Sequence, residues 1–544
     1  MKPFLIFTTT LILLTGCKSN QTAETEQSIY LTPEVMCGTV EFTDGCGTAT
    51  DTLIRFGIAL IHHMTYEDAG YTFDQVISKD PDCFWGYWGK ALAYIHPLWP
   101  DMLSDDEMKS GYILSQKALA LAKKDKEKLY GTALAAFYEK GEKSKGERLV
   151  AFQQGWANAT SQLPDDPEAA LFNGLFRLAT VSPGDKSFTV QREVGEMAEK
   201  YMTVYPDHPG AFHYAIHAYD VPPLASKAVA VARNYGKIAP EIPHALHMPS
   251  HIFTRLGYWQ ESIDWNSRSA ASATRLPYKD GVSPHLFHAL DYEVYALLQQ
   301  GNDAGAREIA KRIDTITTPL SMAATTAYAL AAIPSRIELE EHQWAAAAKV
   351  PLPDTSRFTW KKFPQWEGLI HYGRGLGGAR SGNKEIAEQS LARLTALQSL
   401  LGNTPQTKYW FDQMEAQKTS IEAWMTYADG KKDEGIILMQ KAADLEDATV
   451  KNPVSPGELL PARELLGDMF MQMNKPAEAL AAYEQSLVSR PNRFNSLYGA
   501  GYAAEKSGDS KKATLYYSQL LTVVGTTASS REQLDHARKA ISPG

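Results

Sequence analysis

A period of 34 residues is the feature that most constrains the fold of this chain. A glycine, an alanine and a tyrosine recur at this interval near the C-terminus, as Gly467, Ala479 and Tyr483 and then as Gly501, Ala513 and Tyr517. A small residue lets two helices approach closely, an aromatic ring fills the space between them, and a proline such as Pro491 ends the second helix. The spacing therefore predicts stacked antiparallel helical hairpins, each in contact mainly with its neighbours.

The same pattern is found along most of the chain. At the N-terminal end it comprises Leu53, Gly57, Ala69, Phe73 and Pro81. Shorter matches follow at Trp156, Pro164 and Gly174, at Ala228 and Pro240, and at Gly430. The pattern resembles the tetratricopeptide repeat (TPR), with its small residue at position 8, alanine at 20, aromatic residue at 24 and proline at 32. Because strand signals are nearly absent, we predict an all-α, TPR-type helical-hairpin superhelix, an α–α solenoid.

The amino-acid composition limits which kinds of molecule this chain is expected to bind. The 544 residues carry 54 basic and 63 acidic side chains, a formal charge of −9, without a basic run. This balance argues against nucleic acid as a partner. Outside the N-terminus no apolar run approaches the roughly 18 residues that cross a bilayer, and four cysteines exclude a disulfide-rich scaffold.

The first seventeen residues read as a secretion signal. A basic start is followed by an apolar stretch from Pro3 to Leu14 and then by Leu-Thr-Gly-Cys17. This tetrad resembles the bacterial lipobox, which implies removal of residues 1–16 and attachment of acyl chains to Cys17. Several acyl chains on one residue form a stable membrane anchor. Because Lys18 stands where an inner-membrane retention aspartate would follow the cysteine, we expect a lipid anchor in the bacterial cell envelope, at the outer rather than the inner membrane.

The predicted organisation has five parts after the signal peptide. They are a lipidated flexible tether at 17–50, a TPR-like array with a histidine-lined groove at 51–345, connecting helices at 346–410, C-terminal TPR repeats at 411–530 and a tail at 531–544. Cys37 and Cys46 lie in the tether, where a small disulfide loop is favoured over a metal site. Cys83 is then left over and is expected to be buried.

Histidines are concentrated in one part of the array. Residues 208–288 hold eight of the 14 histidines. His213, His217 and Asp220 share one helical face, and so do His244, His247 and His251. His247 and His251 lie 34 residues after His213 and His217. Equivalent residues of successive repeats stack side by side, so the two pairs should face one surface within reach of a shared ligand.

In the TPR frame this surface is the concave groove. His244, His247 and His251 occupy positions 2, 5 and 9, which the resemblance implies line the groove, and His288, Asp291 and Tyr295 occupy these positions one hairpin later. The predicted groove residues are His213, His217, Asp220, His244, His247, His251, His288 and Asp291.

Three interpretations of these residues stay open. They could form a hydrogen-bonded polar wall, a binding groove for an anionic or polyhydroxyl ligand, or a site for a divalent transition metal such as Zn, Cu or Fe. The metal ligands would be His213, His217, His247 and His251, with an oxygen from Asp220 or Asp291. No His-Glu-x-x-His motif is present, so the sequence does not indicate hydrolysis and assigns no catalytic residue.

Two further motifs are assigned to packing. Gly373-x-Gly375-x-x-Gly378 matches a dinucleotide fingerprint, but no βαβ pattern surrounds it, and a helical hairpin is favoured. Trp85, Trp88 and neighbouring aromatic residues are predicted to form core rather than a sugar-binding platform.

Longer stretches resemble a bacterial family of secreted TPR lipoproteins without a settled activity. They are DPDCFWGYWG at 80–89, HYAIHAYD at 213–220, HALHMPSHIF at 244–253 and PARELLGD at 461–468. A looser similarity links the chain to lipid-anchored glycan-capture proteins. The leading hypothesis is a binding or scaffold component of the envelope, with protein partners or a glycan or small polar ligand in the groove, and an accessory role in polysaccharide capture or degradation. The alternative is a metal-dependent enzyme that uses the histidine cluster.

The lipobox generates the first testable prediction. Cys17→Ser removes the acylated thiol, so we expect the variant to lose metabolic labelling by palmitate and to leave the membrane fraction of the producing bacterium. Ser19→Ala, two residues away, should keep both. Equal labelling of the Cys17→Ser variant and the parent would contradict the lipid anchor.

Overall fold

The computed structural model describes residues 30–42, 45–99, 103–182, 184–276, 278 and 281–542. The signal peptide and Cys17 lie outside these ranges. In the described ranges the chain is built from helices, and β-structure is limited to two isolated bridges. None of the helices described is both long and apolar enough to span a bilayer.

The helices form successive antiparallel hairpins, as the 34-residue spacing predicts. The first hairpins pair α1 (Thr48–His62) with α2 (Tyr66–Lys79), α3 (Phe84–Leu92) with α4 (Asp105–Leu121), α5 (Asp125–Phe137) with α6 (Lys145–Gln162), α7 (Pro167–Ala179) with α8 (Thr189–Val204), and α9 (Pro209–Tyr219) with α10 (Val229–Ile238). In the next hairpin the first helix is interrupted and consists of α11 (Pro243–His247) and α12 (Pro249–Leu256), which pair with α13 (Trp259–Arg275). Two more hairpins follow, α14 (Pro284–Gln299) with α15 (Asp303–Asp314) and α16 (Ala324–Glu340) with α17 (Trp344–Ala347).

The repeat continues to the C-terminal end. The remaining hairpins pair α18 (Pro364–Ser381) with α19 (Lys384–Leu401), α20 (Lys408–Ala428) with α21 (Lys432–Asp447), α22 (Ala462–Gln472) with α23 (Pro476–Ser489), and α24 (Phe494–Ser507) with α25 (Ser510–Val524), before a final α26 (Glu532–Ile541). Short 3-10 turns occupy Ala225–Ala228 and Trp360–Lys362. The segment 346–410 therefore holds a hairpin like the others, and the predicted tail at 531–544 contains a helix.

Small residues facing aromatic rings explain why the hairpins close tightly. A Cβ atom added to Gly57 would lie 2.7 Å from the ring of Phe73, and one added to Gly467 would lie 2.7 Å from the ring of Tyr483. The glycines of the apparent dinucleotide fingerprint serve the same purpose within α18. A Cβ on Gly375 would meet Ile421 at 2.5 Å. Trp85 and Trp88 are fully buried, which confirms their assignment to the core.

The segment before α1 packs on the helices, so the expectation of a flexible tether at 17–50 is wrong for residues 30–42. Leu31, Val40 and Phe42 are buried in the core of the N-terminal hairpins. His63, the residue that follows α1, fixes the segment, because its Nε2 donates to the backbone oxygen of Cys37 at 2.9 Å. Local composition is polar here, but three apolar side chains suffice to hold the segment against the core.

The predicted disulfide between Cys37 and Cys46 is also wrong. Cys46 pairs with Cys83, whose Cα atom is 5.5 Å away. Cys83 stands immediately before α3, and folding of the first two hairpins brings it to Cys46 although 37 residues separate them. Among the described residues no cysteine pairs with Cys37, which is buried, and burial raises the pKa of its thiol to about 11.

The superhelix closes on itself, so the concave groove is not open as expected. The hydroxyl of Tyr292 on α14 lies at hydrogen-bonding distance from the backbone oxygens of Pro453 and Ser455, at 2.7 and 3.0 Å. Arg336 on α16 donates to the backbone oxygen of Glu458 at 2.8 Å. The segment between α21 and α22 therefore covers the groove face of α14 and α16 and occupies the place of an external ligand.

A buried ion network holds the C-terminal hairpins in this position. Arg493 lies at hydrogen-bonding distance from Glu340 on α16, from Glu464 on α22 and from the hydroxyl of Tyr295 on α14. All four side chains are buried. A charge in such a place is tolerated because it is paired, and removal of one partner leaves an uncompensated buried charge.

The contact between Gly57 and Phe73 predicts how one methyl group affects stability. Gly57→Ala forces the ring to move, and we expect the free energy of unfolding to fall by about 1–3 kcal/mol. The control is Gly146→Ala, because a Cβ there meets Ser144 Oγ at 3.9 Å and no closer atom. Thermal and urea unfolding followed by circular dichroism measure the difference. A Gly57→Ala variant as stable as the control would contradict the packing.

His63 predicts a loss of stability in acid. Burial lowers its pKa from 6.5 to about 3, although the bond to Cys37 opposes this shift. Between pH 6.5 and about pH 3 the unfolded chain binds a proton at His63 that the folded protein does not bind. The contribution of His63 to the free energy of unfolding is therefore fully present above pH 6.5 and decreases as the pH falls. When the pH is lowered from 7.5 to 5, we expect the free energy of unfolding to fall by about 2 kcal/mol less in the His63→Gln variant than in the parent. Urea unfolding at both pH values tests this, and equal losses would refute it.

Candidate metal centre

Seven histidines from three adjacent first helices form one connected cluster. The helices α9, α11 with α12, and α14 supply His213, His217, His244, His247, His251, His285 and His288. Consecutive first helices pack side by side, so residues at equivalent positions face each other. Ring centroids are 5.0 Å apart for His213 and His244, and 4.2 Å apart for His247 and His288. His217 and His285 are partly exposed, and the other five are buried.

His213, His217 and His244 form a first three-histidine set. One ring nitrogen from each lies within 4.8 Å of the others. Nδ1 of His213 donates to the backbone oxygen of His62 at 2.5 Å, which leaves Nε2 with its lone pair. Among the described residues nothing forms a hydrogen bond with Nε2 of His213, Nε2 of His217 or either ring nitrogen of His244.

His247, His251 and His288 form a second set, again with ligand atoms within 4.8 Å of one another. Nδ1 of His247 lies 2.7 Å from Oδ1 of Asn266, whose amide nitrogen donates to Ser262 and so orients the oxygen towards the histidine. Nδ1 of His251 lies 3.1 Å from Oδ2 of Asp220. Each of these acceptors requires a proton on Nδ1, so both Nε2 atoms carry lone pairs.

The two Nε2 atoms of this set approach each other to 3.0 Å. Two lone pairs at this distance repel unless a proton or a cation lies between them. With metal–nitrogen distances of about 2.0–2.1 Å, two imidazole nitrogens on one tetrahedral ion lie roughly 3.3 Å apart. The geometry therefore fits two ligands of one metal ion, with Asn266 and Asp220 in the orienting positions that metal-bound histidines usually have.

The pKa values keep the imidazoles in the form that binds metals. Burial lowers the pKa of His217 from 6.5 to about 3 and that of His285 to about 4. Burial likewise lowers the pKa values of His213, His244, His247 and His288 well below 6.5, and neighbouring histidines add to the effect. At neutral pH the rings are therefore uncharged, with a lone pair available to an ion.

The two predicted aspartates lie outside both three-histidine sets. Oδ1 of Asp220 accepts from Arg255 at 2.9 Å and its Oδ2 faces His251, so this carboxylate orients a histidine from behind. Burial opposes ionisation of Asp220, but the charges of Arg255 and Lys451 and the bond to His251 together lower its pKa. Asp291 belongs to neither set. It is buried 3.9 Å from Arg336, and burial raises its pKa to about 6.

The four histidines predicted to bind one metal ion belong to two different sets, His213 and His217 to the first and His247 and His251 to the second. The rings of His217 and His251 are 6.2 Å apart, and His244 and His288 complete the two sets. Sequence reasoning named all six histidines but missed Asn266 and the backbone oxygen of His62, for which the sequence holds no signal. In a further group of His62, Glu168 and His208, the carboxylate of Glu168 bonds both histidines at 2.6 and 2.8 Å, and Nδ1 of His208 has no hydrogen-bond partner among the described residues.

A small cavity lies near the first set. It has a volume of about 60 Å³, and its lining includes Tyr66, His96, Trp99, Pro284 and His285. The ring of Trp99 is 6.1 Å from the rings of both His244 and His285. His285 is in turn 5.4 Å from His244. The rings of Trp99 and His285 therefore lie between this cavity and His244.

Comparisons with known proteins relate the chain to others by fold. No family model and no curated protein sequence matches it. Among solved structures, it is similar to the APC/C hetero-tetramer Cut9–Hcn1 (10% identity, 89% of this chain and 96% of that chain, TM-score 0.28), to the TPR domain of P58(IPK) (12%, 91% and 98%, TM-score 0.21) and to the human IFIT1 dimer with PPP-AAAA (13%, 77% and 87%, TM-score 0.37). The chain has an all-α, TPR-type helical-repeat fold.

Proposed function

We propose that this protein is a metal-dependent enzyme of the bacterial cell envelope, anchored through Cys17, in which His247, His251 and His288 hold a transition-metal ion. The observation that carries the proposal is the 3.0 Å approach of two Nε2 lone pairs in the second set. A buried pair of unprotonated nitrogens gains free energy when a cation lies between them, because their lone pairs otherwise face each other.

The donor set supports a catalytic rather than a structural ion. Three protein ligands leave one coordination position for water or substrate, whereas structural sites use four ligands. Neutral imidazoles suit Zn, Cu or Fe, and hard cations such as Mg²⁺ prefer oxygen ligands. The bound ion would polarise or exchange electrons with a small polar molecule. In the chain itself, Asp220 and Asn266 keep the Nδ1 protons in place, so the lone pairs stay directed at one point.

A scaffold role is the second candidate, and the helical-repeat fold itself favours it. Superhelices of this kind present long surfaces to proteins. A partner would bind outside the groove face of α14 and α16, because residues 451–458 of the chain already cover it. An accessory role in polysaccharide capture rests on the sequence similarity, and the buried rings of Trp85 and Trp88 do not contribute a sugar-binding platform.

Metal analysis of protein purified without a polyhistidine tag tests the proposal. We expect Zn, Cu or Fe at a stoichiometry of at least one ion per chain by plasma mass spectrometry. His251→Ala removes a ligand and should abolish binding at the second set. Asp220→Asn removes an orienting carboxylate and should weaken the affinity about 10- to 100-fold.

The matched control is His536→Ala, because this histidine is far along the chain on α26, where it bonds Glu505. It should keep the full metal content. Protein that binds none of the three metals, either as purified or after reconstitution, would refute the proposal and leave the scaffold role.

A further inference from the structure

We infer that the two three-histidine sets form one centre for two copper ions, with dioxygen as its small-molecule ligand. This inference rests on the metal binding proposed above and adds a second ion at His213, His217 and His244. Four ring nitrogens of that set are buried without a hydrogen-bond partner in the described part of the chain. These nitrogens can bind a ligand, and an ion there would provide the partner whose absence costs about 1–3 kcal/mol for each buried polar group.

The helical repeat produces the two sets as copies of one site. Each set takes two histidines four residues apart from the first helix of one hairpin and one histidine from the first helix of the next. His213 and His217 thus correspond to His247 and His251, and His244 corresponds to His288. A repeat that builds one three-nitrogen site therefore builds the second beside it, one hairpin further along the superhelix.

The two sets are close enough to share a ligand. Ring centroids of His217 and His251 are 6.2 Å apart, and those of His244 and His247 are 6.3 Å apart. His244 and His247 lie on the same short helix, α11, and contribute to different sets. The two sets therefore adjoin each other, and a diatomic molecule bound between them would reach both ions.

Charge and donor type select copper. All six ligands are neutral, and Asp220, the carboxylate bonded to His251, is already paired with Arg255. Two divalent ions would bring four uncompensated charges into a buried space, which is costly. Two Cu(I) ions bring half that charge, and imidazole nitrogens bind copper well.

Dioxygen can accept the two electrons that a pair of Cu(I) ions can give. Each Cu(I) loses one electron, and O₂ takes up both electrons to become a peroxide bound between two Cu(II) ions. The peroxide supplies two negative charges to the space between the sets. The cavity of about 60 Å³ beside Trp99 and His285 admits a molecule of this size.

Reconstitution with a Cu(I)–acetonitrile complex under anaerobic conditions, followed by air, tests the inference in the full-length protein. We expect two copper ions per chain, uptake of one O₂ per two copper ions, and a Cu(II) electron paramagnetic resonance signal well below the copper content, because bridged Cu(II) ions couple. Two copper ions with a full signal, or without oxygen uptake, would overturn the shared centre.

Variants separate this inference from the proposed function. His217→Ala removes a partly exposed ligand whose Nε2 has no hydrogen bond to lose, so the fold should persist, and the copper content should fall from two to one. His285→Ala is the control, because this ring touches His244 but belongs to neither set, and it should keep two ions. One ion in the parent would overturn the inference and leave the proposed function intact. No ion in the parent would overturn both.

Discussion

Close packing between the first helices of successive hairpins is the constraint on which the rest of this structure depends. A glycine beneath an aromatic ring, as at Gly57 and Phe73, fixes the distance between the two helices of a hairpin. Once that distance repeats, equivalent residues of neighbouring hairpins stand side by side. The histidines of α9, α11, α12 and α14 are brought together by this geometry, and their chemistry follows from it.

Closure of the superhelix changes the character of the groove. In an open solenoid the concave positions would face solvent, and a peptide or glycan could lie along them. Here Tyr292 and Arg336 bind the chain's own segment, and Arg493 locks the C-terminal hairpins against α14 and α16. Burial then removes water from the imidazoles, keeps them neutral and leaves their lone pairs for a ligand inside the protein.

An occupied centre would also contribute to stability. A ligand that binds the folded protein and not the unfolded chain stabilises the fold in proportion to the logarithm of its concentration relative to Kd. The nitrogens of His213 and His244 that lack partners are then the groups that gain most.

The sequence by itself determined the hairpins, their small and aromatic contacts, and the six histidines, because these depend on residues within one or two repeats of each other. Only the tertiary structure decided that Cys46 bonds Cys83, that Asp220 bonds both His251 and Arg255, and that residues 451–458 close the groove. These features depend on contacts across many hairpins, such as Tyr292 with Ser455. Local periodicity carries no information about such contacts, since small rotations between hairpins accumulate to decide which distant surfaces meet.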